Sequence, residues 1–406
     1  MTVIVQKYGG TSVGTAERIR AVAERVAATV QSGIRCVVVV SAMGHSTDGL
    51  VDLANQMMNE PNRREMDALL ATGEQVSIAL VAMALQAKGI QSQSMTGWQA
   101  GIRTEAVHGA ARIESIDTAR LDALLASGIV PVIAGFQGIH DGEITTLGRG
   151  GSDTTAVAIA AALRADRCEI YTDVEGVYTA DPRVVPVAGK LSVISYEEML
   201  ELATLGSQVL HPRAVETSKQ HGVTLVVRSS FTQAEGTVIT DMATMEGMRI
   251  VTGVATEKEV ARIAVLGIPT MQHHLSEMFT ALAQEQVNVD VIVQSVVKTG
   301  EVDVSFTVAE ADVERAIRIC EGLKALLGYR EIMQELELSK VSIVGAGMIT
   351  NPGVAAQMFA ALETVGAEIK MVSTSEIKVS CVIANEQLHE AVNQVHRVFA
   401  LDELNR

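Results

Sequence analysis

The chain has 406 residues, 48% of them hydrophobic but only 3% aromatic, and a formal net charge of -16. The length allows two to four domains with aliphatic cores, while the acidic balance argues against general binding to nucleic acid or anionic membrane and requires any polyanion site to be made locally positive. Cys36, Cys168, Cys320 and Cys381 lie far apart in sequence, which excludes zinc-type and CxxC spacings and fits inert core thiols in a reducing, cytoplasmic compartment.

A strand pattern begins at once with Thr2-Val-Ile-Val, with no basic run or long apolar stretch before it, so neither a signal peptide nor a membrane span is expected. Residues 3–5 read as a strand, Gly9-Gly10 as a turn and 16–30 as a helix. The continuous apolar run 36–40 reads as a strand buried on both faces. A long helical pattern covers 68–85, broken by Thr72-Gly73, and 130–134 is another buried strand. An Ala-rich helix over 153–163 is followed by strands at 169–172 and 223–227. Strands separated by helices predict an α/β layered domain with a mainly parallel sheet, residues 1–240. The stretch 241–261 reads as a linker and the start of a second region. Met57, Met58, Met242, Met245 and Met248 read as packing or linker residues.

Beyond the linker the sequence repeats. Ile263-Ala-Val-Leu-Gly267 aligns with Ile343-Val-Gly-Ala-Gly347, Met278-Phe-Thr-Ala-Leu282 with Met358-Phe-Ala-Ala-Leu362, and the block from Val289 with that from Ile369. A shared offset of about 80 residues marks a whole βαββαβ unit in each copy, 262–335 and 336–406, rather than a solenoid turn.

Three segments carry chemistry. Lys7-Tyr-Gly9-Gly10-Thr-Ser-Val-Gly14 lies at a strand-to-helix junction, where glycines let N–H groups approach a phosphate and Lys7 adds a charge. It is not a Walker A loop, whose Lys follows the glycines, and alone it is equally a tight turn beside a surface Lys. Thr145-Thr-Leu-Gly148-Arg-Gly-Gly-Ser-Asp-Thr-Thr155 again puts glycines before a helix. Ser152 or Asp153 there is an ordinary N-cap, but capping does not require Arg149, which suits a carboxylate clamp. Asp153 suits Mg²⁺ or the orientation of a nucleophile. Tyr171-Thr-Asp173-Val-Glu-Gly176-Val-Tyr178-Thr-Ala-Asp181-Pro-Arg183 starts at a strand end, the usual ligand edge of an open sheet; its Asp-Pro pair is otherwise a turn. Glu74 either meets an ammonium group or is solvated.

Together these segments, with Val39-Val-Ser-Ala-Met43 and Thr72-Gly-Glu-Gln75, resemble the aspartate kinases of the bacterial lysine-sensitive type, in the amino-acid kinase family, over essentially the whole chain. The resemblance implies a three-layer, carbamate-kinase-like α/β domain followed by two ferredoxin-like ACT domains. It implies ATP and Mg²⁺ as cofactors, with Lys7, Tyr8, Gly9, Gly10, Ser41, Thr172, Asp173, Tyr178, Asp181 and Arg183 around the nucleotide. L-aspartate is then held by Thr47, Glu74, Arg149, Gly150, Gly151 and Ser152, with Lys7, Arg149 and Asp153 as the catalytic set. The product is 4-phospho-L-aspartate, the first step toward lysine, threonine and methionine. An effector, lysine before threonine, is expected on Asn288, Asp290, Gln294, Asn351, Gly353 and Ser373. A homo-oligomer or an alpha/beta assembly through the ACT domains is implied as well, with an internal start near Met245 or Met248 allowed.

Two departures stand out. Gln208 occupies a place where many relatives carry Lys, with Arg213 nearby. The first repeat reads Ile268-Pro-Thr-Met-Gln-His-His274 where the second keeps Asn351-Pro-Gly-Val354. Alternative readings are phosphorylation of another small acid such as acetylglutamate, a non-catalytic amino-acid sensor, and a dinucleotide enzyme built on Gly345-Ala-Gly347; the last fails because Thr350 stands at the third glycine position. No metal site is expected, and His273-His274 reads as structural or solvated.

Overall fold

The computed structural model describes residues 2–207, 209–241, 249–270, 274–298 and 300–402, and the chain divides into two compact units. The first takes in residues up to Val177, Lys190–Thr204 and the described part of 208–247.

In this first unit β1 (Val3–Tyr8) leads through a tight 3-10 turn (Gly10–Val13) into α1 (Ala16–Gln31), whose N-cap Thr15 accepts a hydrogen bond from the Arg18 N–H. There follow β2 (Arg35–Val40), α2 (Ser46–Met57), α3 (Arg63–Gln86), β3 (Ser92–Met95), β4 (Ile102–Thr104), β5 (Ile113–Ile116), α4 (Ala119–Ala126), β6 (Val130–Ala134), β7 (Gln137–His140), β8 (Glu143–Thr146) and α5 (Gly151–Ala162). The unit closes with β9 (Arg167–Thr172), β10 (Val193–Ser195), α6 (Tyr196–Thr204), α7 (Pro212–His221), β11 (Leu225–Ser229) and β12 (Thr237–Thr240).

Eight strands form one sheet in the order β10-β12-β11-β9-β1-β2-β6-β3, parallel throughout except where β11 meets β12. Its strands β2 and β6 are apolar on both faces because helices cover both. Alternation along β1 sends Ile4 and Tyr8 into a core with Ile19 and Val22 of α1 and Ile78 and Val81 of α3, whereas Lys7 points to the opposite face and meets α5. The result is a three-layer sandwich. A small second sheet, β5-β4-β7-β8, was not anticipated: its strands are three or four residues long and too polar for a period-2 signal.

The expected break at Thr72-Gly73 is absent, and α3 runs unbroken for 24 residues. Glycine is there for packing, since a Cβ on Gly73 would lie 2.9 Å from the Ala42 Cβ. By length and composition α3 is apolar enough to cross a membrane, yet its inward face carries the buried carboxylates Asp67 and Glu74.

The second unit holds β13 (Gly253–Pro269), α8 (His274–Gln284), β14 (Ile292–Lys298), β15 (Glu301–Ala309), α9 (Val313–Gly322), α10 (Lys324–Leu327), β16 (Glu331–Val344), α11 (Val354–Thr364), β17 (Met371–Thr374), β18 (Lys378–Ala384) and α12 (Leu388–Val398). All six strands make one antiparallel sheet, β14-β15-β13-β16-β18-β17. The long strands β13 and β16 serve both repeats. Val260–Leu266 pairs with Leu338–Glu331 in the first repeat, while Gly253–Glu257 pairs with Val344–Lys340 and supplies the second repeat with its fourth strand. Each long strand carries a left-handed residue, Glu259 (φ 58°) and Glu337 (φ 55°), where the pairing register shifts and one repeat gives way to the other. The aligned pairs Met278 and Met358, and Leu282 and Leu362, are fully buried in the two repeat cores. Gly345 and Gly347 are required by close backbone approach: a Cβ on either would lie within 2.4 Å of a carbonyl oxygen, of Ile250 or Arg249.

Tyr178–Gly189 also belongs to this second unit. Ala180, Val185 and Ala188 lie in the core of the second repeat, and the Thr179 carbonyl accepts a 2.7 Å hydrogen bond from Val254 N.

Candidate active site

The parallel strands β1, β2, β6 and β9 end on one edge, and the turns after them are stitched together. Gly9 N donates to the Tyr171 carbonyl at 3.2 Å, Ser41 N to the Tyr8 carbonyl at 3.1 Å and Gly44 N to the Gly10 carbonyl at 3.0 Å. Gly10 admits no side chain, because a Cβ would sit 2.9 Å from the Ala42 carbonyl oxygen. The 3-10 turn that starts there leaves its leading N–H groups without intrahelical partners, an arrangement suited to a phosphate. Beside it, Lys7 Nζ lies 2.5 Å from Asp153 Oδ1, with both side chains largely buried.

The same cluster extends to α3. Glu74 is 3% exposed; its Oε1 accepts a hydrogen bond from Ala42 N at 3.1 Å, and its Oε2 has no hydrogen-bond partner among the described residues. Burial pushes its carboxyl up to about 7, against the opposing effect of backbone hydrogen bonds. A buried carboxylate with one oxygen unsatisfied is costly unless a ligand completes it.

The Arg149 segment is held on several sides. Asp67, fully buried two turns before Glu74, accepts from Thr146 Oγ1 at 2.5 Å and from Gly109 N at 3.1 Å, and pairs with His108 Nδ1 at 2.7 Å. Leu147 N donates to the Phe136 carbonyl, and Arg213 Nη1 donates to the Leu147 carbonyl at 2.6 Å. Gly150 is the left-handed N-cap of α5 (φ 69°), and no side chain caps this helix. Ser152 is buried, whereas Arg149 is exposed and has no charged partner among the described residues. The helix N-terminus and Arg149 make this end positive in an otherwise acidic chain.

Other expected site residues stand differently. The Tyr8 side chain is wholly buried, stacked on Tyr171 at 4.7 Å, with its hydroxyl donating to Gln6 Oε1; only its backbone reaches the turn. Behind it Glu169 accepts hydrogen bonds from Gln6, Arg167 and Tyr171. Burial opposes its charge, but these bonds outweigh it and hold the carboxyl below its ordinary value. Ser41 and Thr47 are half-buried, the latter in the first turn of α2, and Thr172 donates to the exposed Asp173. Tyr178, Asp181 and Arg183 lie in the second unit, where the Arg183 guanidinium grips Asp181 with two nitrogens and holds its carboxyl below the usual range.

Of the effector candidates, Asn288 and Gln294 are exposed, and Asp290 pairs with the buried Lys340, which also meets Glu257 at 2.5 Å. Burial opposes the charge of Lys340, but its two carboxylate partners raise it above its ordinary value. Asn351 Nδ2 donates to the Gly347 carbonyl, Gly353 is the N-cap of α11, and Ser373 is half-buried in β17. Gln208, His273, Met242, Met245 and Met248 lie outside the described residues.

Sequence reasoning passed over Asp67, which two carboxylates seven residues apart on an apolar helix signal. It also passed over the role of His211, whose Nδ1 accepts from Arg213 N as the N-cap of α7.

The profile of the Amino acid kinase family matches residues 2–229, and that of the ACT domain matches twice, over 263–322 and 341–399. An aspartokinase of Bacillus sp. (strain MGA3) is 56% identical over 402 residues, covering 99% of this chain and 98% of that protein. The structure of E. coli aspartokinase III in complex with aspartate and ADP is similar with a TM-score of 0.79 at 27% identity, covering 98% of this chain and 99% of that one. The same enzyme in complex with lysine and aspartate gives 0.76 at 27% identity, covering 97% and 99%. The chain therefore belongs to the amino acid kinase family and, within it, to the aspartokinases that carry paired ACT domains.

Proposed function

We propose that the first unit transfers the γ-phosphate of ATP to the side-chain carboxylate of L-aspartate, at the opening of lysine, threonine and methionine synthesis. The observation that carries the residue assignment is the buried, half-satisfied Glu74 carboxylate, tied through Ala42 to the Gly10 turn that adjoins the Lys7–Asp153 pair. Glu74 receives the substrate ammonium, and Arg149 clamps a carboxylate. The Gly9-Gly10 turn and Lys7 take the phosphates.

The acceptor carboxylate is ionised at neutral pH, so no general base is needed. Catalysis reduces to in-line positioning and neutralisation of charge by Lys7 and the N–H groups. Lys7 exchanges Asp153 for phosphate oxygens when the nucleotide binds. Mg²⁺ is an ion bound by one or two carboxylates plus substrate phosphates. Asp153 would be the carboxylate that holds it, and its chemistry would be to neutralise the transferring phosphoryl group. ADP formation measured over a panel of amino acids tests the reading, and a response to aspartate no greater than to glutamate would sink it.

The second unit binds the effector. Lysine is proposed, supported by the duplicated ACT fold and by the lysine complex of the E. coli relative. Assembly through the same unit is supported by the edge strand β14, whose Ile292, Val293 and Val296 are exposed. The four cysteines are buried and unpaired, which supports a reducing, cytoplasmic location.

A further inference from the structure

We propose that the imidazole ring of His211 is a positioning element for the acidic acceptor. It walls the Arg149 loop and so sets affinity for aspartate, while its Nδ1 separately caps α7. The inference rests on the aspartate kinase reading of the site.

The ring lies directly against the backbone of Gly150. A Cβ built there would fall 2.2 Å from the His211 Cβ, 2.1 Å from its Cγ and 2.6 Å from its Cδ2. Two residues on, Arg213 Nη1 holds the Leu147 carbonyl at 2.6 Å. The tripeptide His211-Pro212-Arg213 thus grips both ends of the span 147–150, and the unpartnered Arg149 lies between the two grips. A guanidinium on a short loop reaches a ligand at a position set by the loop's anchors, so the ring fixes where Arg149 can meet a carboxylate. Gly150 is in the left-handed region, and glycine has many other conformations open to it once the wall is removed. Lys7 and Asp153 have anchors of their own in their ion pair and in β1 and α5, while His211 lies near enough to Asp153 to feel its charge. Loss of the ring therefore falls on acceptor binding more than on the chemical step.

The two roles of His211 separate in two variants. Asn retains a side-chain acceptor for the cap but offers no ring, whereas Phe offers a ring but no acceptor. For His211→Asn the aspartate KM should rise at least about fivefold with kcat within about threefold of wild type, and the melting temperature should stay near that of wild type. For His211→Phe the KM should stay within about twofold of wild type while the melting temperature falls. An unchanged KM in His211→Asn, or a KM in His211→Phe raised as far as in His211→Asn, overturns the proposal. Should His211→Phe fail to fold, the KM of His211→Asn decides; should His211→Asn fail, His211→Ser, which also keeps an acceptor and lacks the ring, takes its place. Absence of aspartate-dependent ADP formation by the wild-type enzyme would instead sink the underlying reading.

Discussion

Lys7 and Asp153 form an ion pair with both side chains largely buried, so on the proposed reading the nucleotide exchanges one partner of Lys7 for another and meets a charge already in place. Lys7→Ala removes that charge and leaves Asp153 buried and unpaired. Turnover should fall roughly 10²–10³-fold, the usual cost of losing a transition-state donor, and steady-state ADP release near the wild-type kcat would refute the role. Glu74 offers a second test. In the free enzyme its carboxyl titrates at about 7 because it is buried. Above that pH it is ionised and can pair with an ammonium group; below it, the neutral acid cannot. The carboxylates of aspartate stay ionised across this range. Thus kcat/KM for aspartate should drop about tenfold per pH unit below 7. In Glu74→Gln the limb should vanish and the aspartate KM should be high at every pH. A wild-type profile flat from pH 8 to 6 would remove Glu74 from the substrate.

At the scale of elements, α3 does more than cover the sheet. Its inward face presents Glu74 to the Ala42 turn and Asp67 to the Thr146 hydroxyl and the Gly109 N–H, so one rigid helix spaces the Glu74 carboxylate from the segment leading to Arg149. Asp67→Ala strands the buried Thr146 hydroxyl and removes the acceptor of the Gly109 N–H. The expected loss is about 2–4 kcal/mol by urea unfolding, against well under 1 kcal/mol if the cluster were solvated. Much of this layer is legible in the sequence: α1, α5, β2 and β6 follow from periodicity and uninterrupted apolar runs, and both glycine turns follow from composition. Gly73 misleads because a mid-helix glycine chosen for packing against Ala42 looks like a break. The first half of β13 is hidden because Glu257-Lys258-Glu259 interrupts its apolar pattern, and only pairing with β16 reveals it. The roles of His211 and Asp67 are hard to read for a related reason, since Gly150 lies 61 residues from His211 and the partners of Asp67 lie 41 to 79 residues from it, brought together by tertiary structure alone.

The whole molecule divides at places that the sequence does not mark. By sequence, a cut after Thr240 parts the catalytic region from the sensory one, yet Tyr178–Gly189 stays with the catalytic piece while its packing partners leave. Ala180, Val185 and Ala188 lie in one core with Met358, Leu362 and Val392, and Thr179 Oγ1 meets the buried His396 at 2.9 Å. A 1–240 fragment would therefore expose an apolar segment directly downstream of Asp173. On the proposal that lysine acts through the second unit, the fragment should be indifferent to lysine. It should also bind a hydrophobic dye and melt below the full-length enzyme, with residual activity lowered as well. Full-length protein carrying a polar substitution at Ala188 should reproduce the exposed segment without deleting the effector unit. Loss of activity in that variant with lysine response preserved in the remaining turnover would place the segment's role in holding the catalytic chain. A fragment as stable and active as the intact enzyme would show that Tyr178–Gly189 needs nothing from the second unit.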